Sequence, residues 1–125
     1  MLDMNFSPDK QSAFAARFEA QKIAFGPVVF HCVRYAWKRG MLAELAQAGD
    51  AGRSIAELAS TGNWREYALK IALESCLSAG VVRLVAGQYQ LDKSGYCLLS
   101  DAITQVNMDF VHDVCYQGLH ALERF

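Results

Sequence analysis

The sequence has no excess of charge of either sign, because its 125 residues include 12 lysines and arginines against 13 aspartates and glutamates. Proteins that bind nucleic acid backbones use clustered lysine and arginine side chains, so this balance argues against a nucleic-acid partner. No apolar run reaches the roughly 18 residues that a membrane span needs, and the first residues lack the basic and apolar segments of a secretory signal. We therefore expect a cytoplasmic protein that has no membrane partner.

The motifs that commonly mark a reaction centre are also missing. The sequence contains neither a glycine-rich phosphate-binding loop nor a G-x-S-x-G nucleophile motif. His112, Cys115 and His120 form a polar cluster near the end of the chain, but a metal site needs a further convergent ligand. We assign no catalytic, cofactor-binding or metal-binding residue to this chain. The cysteines form no C-x-x-C pair and are expected to be reduced core residues; they are Cys32, Cys76, Cys97 and Cys115.

A helix–turn–helix pattern occupies the middle of the sequence. The Ser-Ile-Ala-Glu run at residues 54–57 has the spacing of a capping box and predicts a short helix over about residues 54–60. The same spacing recurs at residues 63–66 and predicts a longer helix over about residues 64–79. Gly80 then supplies the left-handed position that often follows the end of a helix.

A β-hairpin is predicted after this pattern, because two apolar segments, residues 81–85 and 89–91, flank Gly87-Gln88. Helix, turn, helix and hairpin in this order form a winged helix. We therefore predict a mainly α fold: a winged helix-turn-helix with extra N-terminal and C-terminal helices and a small β-hairpin wing.

The predicted winged helix is electrically neutral, with four cations and four anions between residues 54 and 95. The outward positions of its longer helix would hold two acids and two leucines beside the cations, which is a poor base-reading surface. Those positions are Arg65, Glu66, Leu69, Lys70, Leu73 and Glu74. The alternative function is a winged-helix DNA-binding transcriptional regulator, which would contact DNA through Arg65, Lys70 and Arg83.

An N-terminal helix is predicted over residues 6–25, with Ser7 as its N-cap and Pro8 at its first helical position. Aromatic side chains form a stripe along this helix, and the stripe is either part of the core or a contact with another subunit. The stripe consists of Phe14, Phe18 and Phe25.

Two further helices are apolar on more than one side. Residues 28–39 are apolar almost all round, and His31 among them is interpreted as a core histidine. Residues 100–125 carry two apolar stripes along a final helix that Ser100 or Asp101 caps. Helices of this kind need cover from both sides, which favours association with another protein surface. The final helix also has no stop signal, so we expect a truncated chain; a naturally frayed end is the alternative.

Several runs of the sequence carry a resemblance to a known family: residues 40–45, 54–59, 69–82, 87–91, 95–99 and 113–119. The first reads Gly-Met-Leu-Ala-Glu-Leu, and the last reads Asp-Val-Cys-Tyr-Gln-Gly-Leu. Together they make residues 26–125 resemble the N-terminal domain of S-adenosylmethionine-dependent O-methyltransferases. Those enzymes begin with a helical and winged-helix dimerisation region, which a Rossmann-like catalytic domain follows.

The resemblance implies a dimerisation and substrate-pocket-lining domain of a methyltransferase that acts on a small-molecule acceptor. On this resemblance we expect residues 1–125 to form one such domain: an N-terminal helix (6–25), a winged-helix core (27–99) and a connecting helix (100–125) that would lead to a catalytic domain absent from this chain. S-Adenosylmethionine is expected in the full-length parent and not in this chain, because the family's cofactor and catalytic positions lie in that second domain. A stand-alone adaptor that only dimerises is a further alternative.

Two sets of bulky side chains are predicted to make contacts outside the chain. A homodimer with a two-fold axis would bury the first set in a large apolar interface. This first set is Phe14, Phe18, Phe25, Phe30, Tyr35 and Trp37. The second set would face the missing catalytic domain or its acceptor; it is Phe110, Val114, Tyr116 and Leu119.

The neutral winged helix predicts that the chain does not bind DNA. Random duplex DNA, mixed with micromolar chain at low salt, is expected to show no retarded band in a gel, because no cluster of cations is available to release counterions. Salt-sensitive retardation that Arg65→Ala and Lys70→Ala weaken would instead support the regulator.

Overall fold

The computed structural model describes residues 11–124, with side chains through residue 123. Helix α1 spans Ala13–Ala24, α2 Gly26–Lys38, α3 Met41–Ala48, α4 Ile55–Thr61 and α5 Glu66–Ser78. Strands β1 (Val82–Val85) and β2 (Gln88–Leu91) form an antiparallel hairpin, which precedes α6 (Lys93–Ser100), α7 (Ala102–Phe110) and α8 (Tyr116–His120). This mainly α, winged-helix-like architecture confirms the predicted fold class. Within the described residues, no helix is both long and apolar enough to cross a membrane.

The start of α1 is set by a local cap. The hydroxyl oxygen of Ser12 accepts a hydrogen bond from the Ala15 backbone N–H over 3.0 Å, and the helix begins at the next residue. Ser7 and Pro8, the predicted start of this helix, lie outside the described residues.

The capping box predicted at the start of α4 is confirmed. The Ser54 hydroxyl accepts from the Glu57 backbone N–H over 3.1 Å, and the Glu57 carboxylate accepts from the Ser54 backbone N–H over 3.0 Å. The second bond lowers the pKa of Glu57 because it stabilises the charged carboxylate. The reciprocal pair satisfies two backbone donors, one at the N-cap and one in the first turn.

The second capping box, predicted at residues 63–66, is wrong. Arg65 is the N-cap of α5, and its side chain makes no capping hydrogen bond. The neighbouring Trp64 is held by the end of α2 instead, because its indole N–H donates to the Arg39 carbonyl oxygen over 3.1 Å. A tertiary contact therefore anchors the chain just before α5, where the sequence pattern predicts a local cap.

The end of α5 is a Schellman motif. Gly80 has the left-handed conformation predicted for it, with a φ of 78°. Its N–H donates to the Leu77 carbonyl oxygen, and the Val81 N–H donates to the Cys76 carbonyl oxygen. These two bonds satisfy carbonyls that the helix end would otherwise leave unpaired.

The predicted hairpin is present, but its turn lies one residue earlier than predicted. Val85 pairs with Gln88 in the strand register, so the turn is Ala86-Gly87 and not Gly87-Gln88. Both turn residues have positive φ, 52° and 79°. A two-residue type I′ turn requires this conformation because it matches the twist of the strands.

The core surrounds α5. Leu69 and Leu73 are completely buried, so the prediction that places both on an outward, DNA-reading face is wrong. With Cys76 they form a stripe at helical spacing, and α2 and α4 pack against the helix and enclose that stripe. The largest fully buried side chains are Met41, Leu42, Leu45, Leu58, Leu69, Leu73, Cys76 and Val82.

The predicted final helix is interrupted. Asp101, one of the two predicted caps, accepts a hydrogen bond from the Thr104 backbone N–H over 3.2 Å at the start of α7. After Phe110 the backbone widens into a π-helix over Val111–Cys115, and α8 follows. Wide turns of this kind are frequent at functional sites, and nothing in the apolar periodicity of the sequence signals this one.

Two helical glycines are expected to respond oppositely to replacement by alanine. A methyl group at Gly95 would overlap the Leu91 side chain and lie 2.7 Å from the Val81 carbonyl oxygen, so Gly95→Ala should lower the free energy of unfolding by about 1–3 kcal/mol. At Gly118 nothing lies within 4 Å, and Gly118→Ala should raise that free energy by about 0.5–1 kcal/mol because alanine favours helix. Urea denaturation measures both. Equal effects of the two substitutions would contradict the packing described for α6.

Candidate functional site

The N-terminal helix carries an uncovered aromatic stripe. No residue of Ala13–Ala24 is buried, and Phe14 and Phe18 are 81% and 58% exposed. Of the two interpretations of this stripe, the one that places it in the core of the described chain is wrong. A 12-residue helix of this kind is marginal by itself in water, so its stability depends on packing.

The stripe continues onto the faces of α2 and α5. Phe25 joins α1 to α2 and is 57% exposed. Together with Val28, Val29 and Ile71 it lines a shallow depression between these helices. Apolar side chains from the α1–α2 junction, α2 and α5 are therefore neighbours, and contiguous apolar surface of this kind marks interaction sites.

The other three residues predicted for the subunit contact lie farther along α2 and have partners within the chain. Trp37 is half-buried against the core, and the Lys38 ammonium lies 4.2 Å from the centre of its ring. The Arg39 guanidinium lies 5.4 Å from the centre of the Tyr35 ring. Phe30 is half-buried and stacks on Tyr116 with ring centres 6.4 Å apart. The structure thus groups Phe14, Phe18 and Phe25 on one uncovered surface, and Phe30 lines a depression with Phe18 and Phe25. Tyr35 and Trp37 lie outside that depression.

An aromatic cluster joins α2 to the C-terminal segment; it consists of Phe30, His31, His112 and Tyr116. The His31 ring lies 4.4 Å from the Tyr116 ring and 6.0 Å from the His112 ring, centre to centre. His31 is exposed, so its interpretation as a core histidine is wrong. The C-terminal segment folds back over this part of α2, and the ring of Tyr116 contacts its own chain there.

A pair of cations on α2 holds the end of α7. Arg34 Nη2 donates to Asp109 Oδ1 over 2.9 Å, and Lys38 Nζ lies 3.2 Å from the same oxygen. Arg34, and after it Lys38, lowers the pKa of Asp109 below its ordinary value of 3.8. No pattern in the sequence indicates this pairing, because Asp109 lies 75 residues beyond Arg34.

Three of the four residues predicted to face a second domain remain uncovered. Phe110 is 53% exposed, and Val114 and Leu119 are each 60% exposed. No residue of α7, of the π-helix or of α8 is buried. The C-terminal segment therefore presents a second apolar surface, at the opposite end of the sequence from α1.

The histidine, cysteine and acidic side chains make contacts that are typical of structural residues. Within the described residues, no group of three or more histidine, cysteine, aspartate or glutamate side chains is placed to hold a metal ion. His112 Nδ1 and Asp113 Oδ1 form a close pair, 2.7 Å apart. Burial raises the pKa of the Cys76 thiol to about 12, so this cysteine stays protonated at neutral pH. The exposed apolar side chains of both surfaces are suited to association through apolar contacts.

Comparison with known proteins gives one family and one fold. The family model of the Dimerisation2-like domain matches residues 17–89. The fold is similar to the crystal structure of the S-adenosylmethionine-dependent methyltransferase SibL in its apo form, with a TM-score of 0.63 and 18% sequence identity. The similar region covers 77% of this chain and 28% of the SibL chain, so the chain corresponds to little more than a quarter of that protein's length. No curated protein matches the sequence significantly.

The contact between Asp109 and α2 predicts how stability depends on pH. A carboxyl group whose pKa is lowered by folding stabilises the fold above its ordinary pKa of 3.8, and this contribution is lost as the pH falls through the lower, folded value. Asp109→Asn should therefore lower the free energy of unfolding at pH 7, and its difference from the wild type should shrink below about pH 4. Urea denaturation between pH 3 and 7 measures the difference. The control Asp50→Asn removes a carboxylate from the turn before α4. An equal effect of the two substitutions would contradict the stabilising role of the contact between Asp109 and α2.

Proposed function

The chain belongs to the Dimerisation2-like domain family, and we propose that it associates with a second copy through α1 and the adjoining faces of α2 and α5. The observation that carries this proposal is the uncovered stripe, Phe14, Phe18 and Phe25, on a surface where α1 buries none of its residues. Burial of one such side chain contributes about 1.5–3 kcal/mol. A two-fold axis would bury the same stripe on both copies of the chain.

The parent protein in this proposal is an S-adenosylmethionine-dependent methyltransferase. The fold likeness to part of SibL supports it, together with the sequence resemblance of residues 26–125. S-Adenosylmethionine would bind a Rossmann-like catalytic domain outside this chain, and a hydroxyl group of a small-molecule acceptor would be methylated there. Within the chain, residues 6–25 and 27–99 would serve association, and residues 100–125 would lead toward the catalytic domain.

The C-terminal surface has a role of its own in this proposal. Phe110, Val114 and Leu119 would contact the catalytic domain or form one wall of the acceptor pocket. Their exposure supports such a contact, since side chains of this size are commonly buried in the working assembly. Tyr116 would act indirectly, because its ring packs on His31 and Phe30 and helps to hold α8 against α2.

The contacts of the cations favour association over DNA binding. On the hairpin, Arg83 donates to the Gln90 side chain over 3.0 Å and lies 3.9 Å from Asp92, so it already has partners. On α5, Arg65 and Lys70 share the exposed surface with Glu66 and Glu74. Phosphate contacts need unopposed cations, and this surface mixes both signs.

Self-association is expected to depend on the aromatic stripe of α1. The chain should sediment as a dimer at micromolar concentration, and the double variant Phe14→Glu/Phe18→Glu should weaken association by roughly 100-fold or more, since it removes two buried side chains from each copy. The monomer should stay folded because neither side chain belongs to the core.

The matched control for this experiment is Leu84→Glu, which places the same charge on an exposed apolar position of the hairpin and should leave the dimer intact. Circular dichroism confirms the fold of each variant. A wild-type chain that sediments as a monomer, or a stripe variant that dimerises like the control, would refute the proposed interface.

A further inference from the structure

A groove runs between α2 and α5 and reaches the π-helix. Its volume is about 630 Å³, which lies within the range of small-molecule sites. We call it the α2–α5 groove, and its largest and most polar lining side chains are His31, Arg34, Tyr35, Lys38, Tyr67 and His112. None of these belongs to the aromatic stripe of α1, but the groove adjoins the depression beside Phe25, because Ile71 lines both.

The two walls of the groove differ in chemistry. The α5 wall is apolar and aromatic, formed mainly by Tyr67 and Ile71, which are 75% and 42% exposed. The α2 wall carries three cations, Arg34, Lys38 and Arg39. A ligand that fills the groove would therefore meet rings and methyl groups on one side and positive charge on the other.

The acids beside the groove do not balance these cations. Asp109 contacts both Arg34 and Lys38, and Asp113 contacts His112. The described residues that line the groove include no acid, and its three cations exceed these two neighbouring acids by one charge. A ligand with a single negative charge complements that excess.

Arg34 also has an unused hydrogen-bond donor. Its Nη2 binds Asp109, but its Nε is buried and has no partner among the described residues. Buried donors of this kind are rarely left unpaired, because the lost contact with water is not replaced. Because that Nε is closed to solvent, a ligand in the groove would meet the positive charge of the guanidinium group and not this donor, so the attraction is electrostatic.

We propose that the α2–α5 groove binds a small planar aromatic carboxylate, with its carboxylate beside Arg34 and Lys38 and its ring against Tyr67. The rings of Tyr35 and His112 extend the aromatic lining on the other sides. All of these groups come from one copy of the chain, so the site does not rest on self-association or on the activity of a parent enzyme.

The test is a titration of the isotope-labelled chain with 2-naphthoate, followed through its amide resonances. We expect saturable shifts confined to α2, α5 and the π-helix. 2-Naphthamide has the same ring without the charge and should bind about tenfold more weakly, because charge-assisted hydrogen bonds are lost. Equal binding of the two compounds, or no saturable binding of 2-naphthoate, would overturn the proposal.

Two variants locate the site without touching the buried core. Lys38→Met and Tyr67→Ala should each weaken 2-naphthoate binding by about fivefold or more, the first through lost charge and the second through lost ring contact. Their matched controls, Lys93→Met and Tyr96→Ala on α6, make the same changes at exposed positions outside the groove and should bind as the wild type does. Controls that weaken binding as much as the groove variants would contradict the assignment.

The same titration separates this site from the proposed dimer. Binding of 2-naphthoate is expected to be retained in Phe14→Glu/Phe18→Glu, whether that variant is a monomer or a dimer. If the wild type binds nothing and the variant binds, a second copy of the chain covers the groove, so the proposal that this site is independent of self-association is overturned while dimerisation is supported.

Discussion

The enclosure of α5 is the constraint on which the other helices depend. Its stripe of Leu69, Leu73 and Cys76 has to be shielded from water, and α2 and α4 supply the shield. The inner face of α2, with Val33 and Ala36, is therefore buried and is not available to other helices. The buried core residues all lie in or between α2 and α6, including the hairpin. The helices before and after this region therefore form an outer layer that buries little apolar surface. The uncovered apolar surfaces at both ends of the chain follow from this order of packing.

Polar and aromatic contacts position that outer layer at its C-terminal end, where Met108 also packs against the core. Asp109 ties α7 to Arg34 and Lys38, and the ring of Tyr116 rests on His31. Contacts of this kind are directional, whereas apolar packing is not. They can therefore hold the helices in one place while leaving Phe110, Val114 and Leu119 exposed for a partner.

Features that depend on residues close in sequence were predictable, whereas contacts between distant segments were not. The capping box at Ser54 and the left-handed Gly80 depend on neighbouring residues alone, and the structure confirms both. The start of α5 depends on a hydrogen bond from Trp64 to a carbonyl 25 residues away, and Asp109 finds a partner 75 residues away. The outward face of α5 was also predicted wrongly. The spacing of Leu69, Leu73 and Cys76 indicates a buried stripe, but comparison with DNA-binding winged helices assigned the two leucines to the surface.

The two proposed sites share α2, and this has a thermodynamic consequence. Val28 lies beside the association surface, whereas Arg34 and Lys38 lie in the groove, on a single helix of 13 residues. A helix that packs this closely against α5 moves as one body. A displacement of α2 that favours one site therefore also changes the geometry of the other. Coupling between binding events is reciprocal: an aromatic carboxylate that strengthens the dimer is bound more tightly by the dimer, by the same factor. Association and ligand binding would then be linked through α2, which both sites use, and through Ile71 of α5, which lines both.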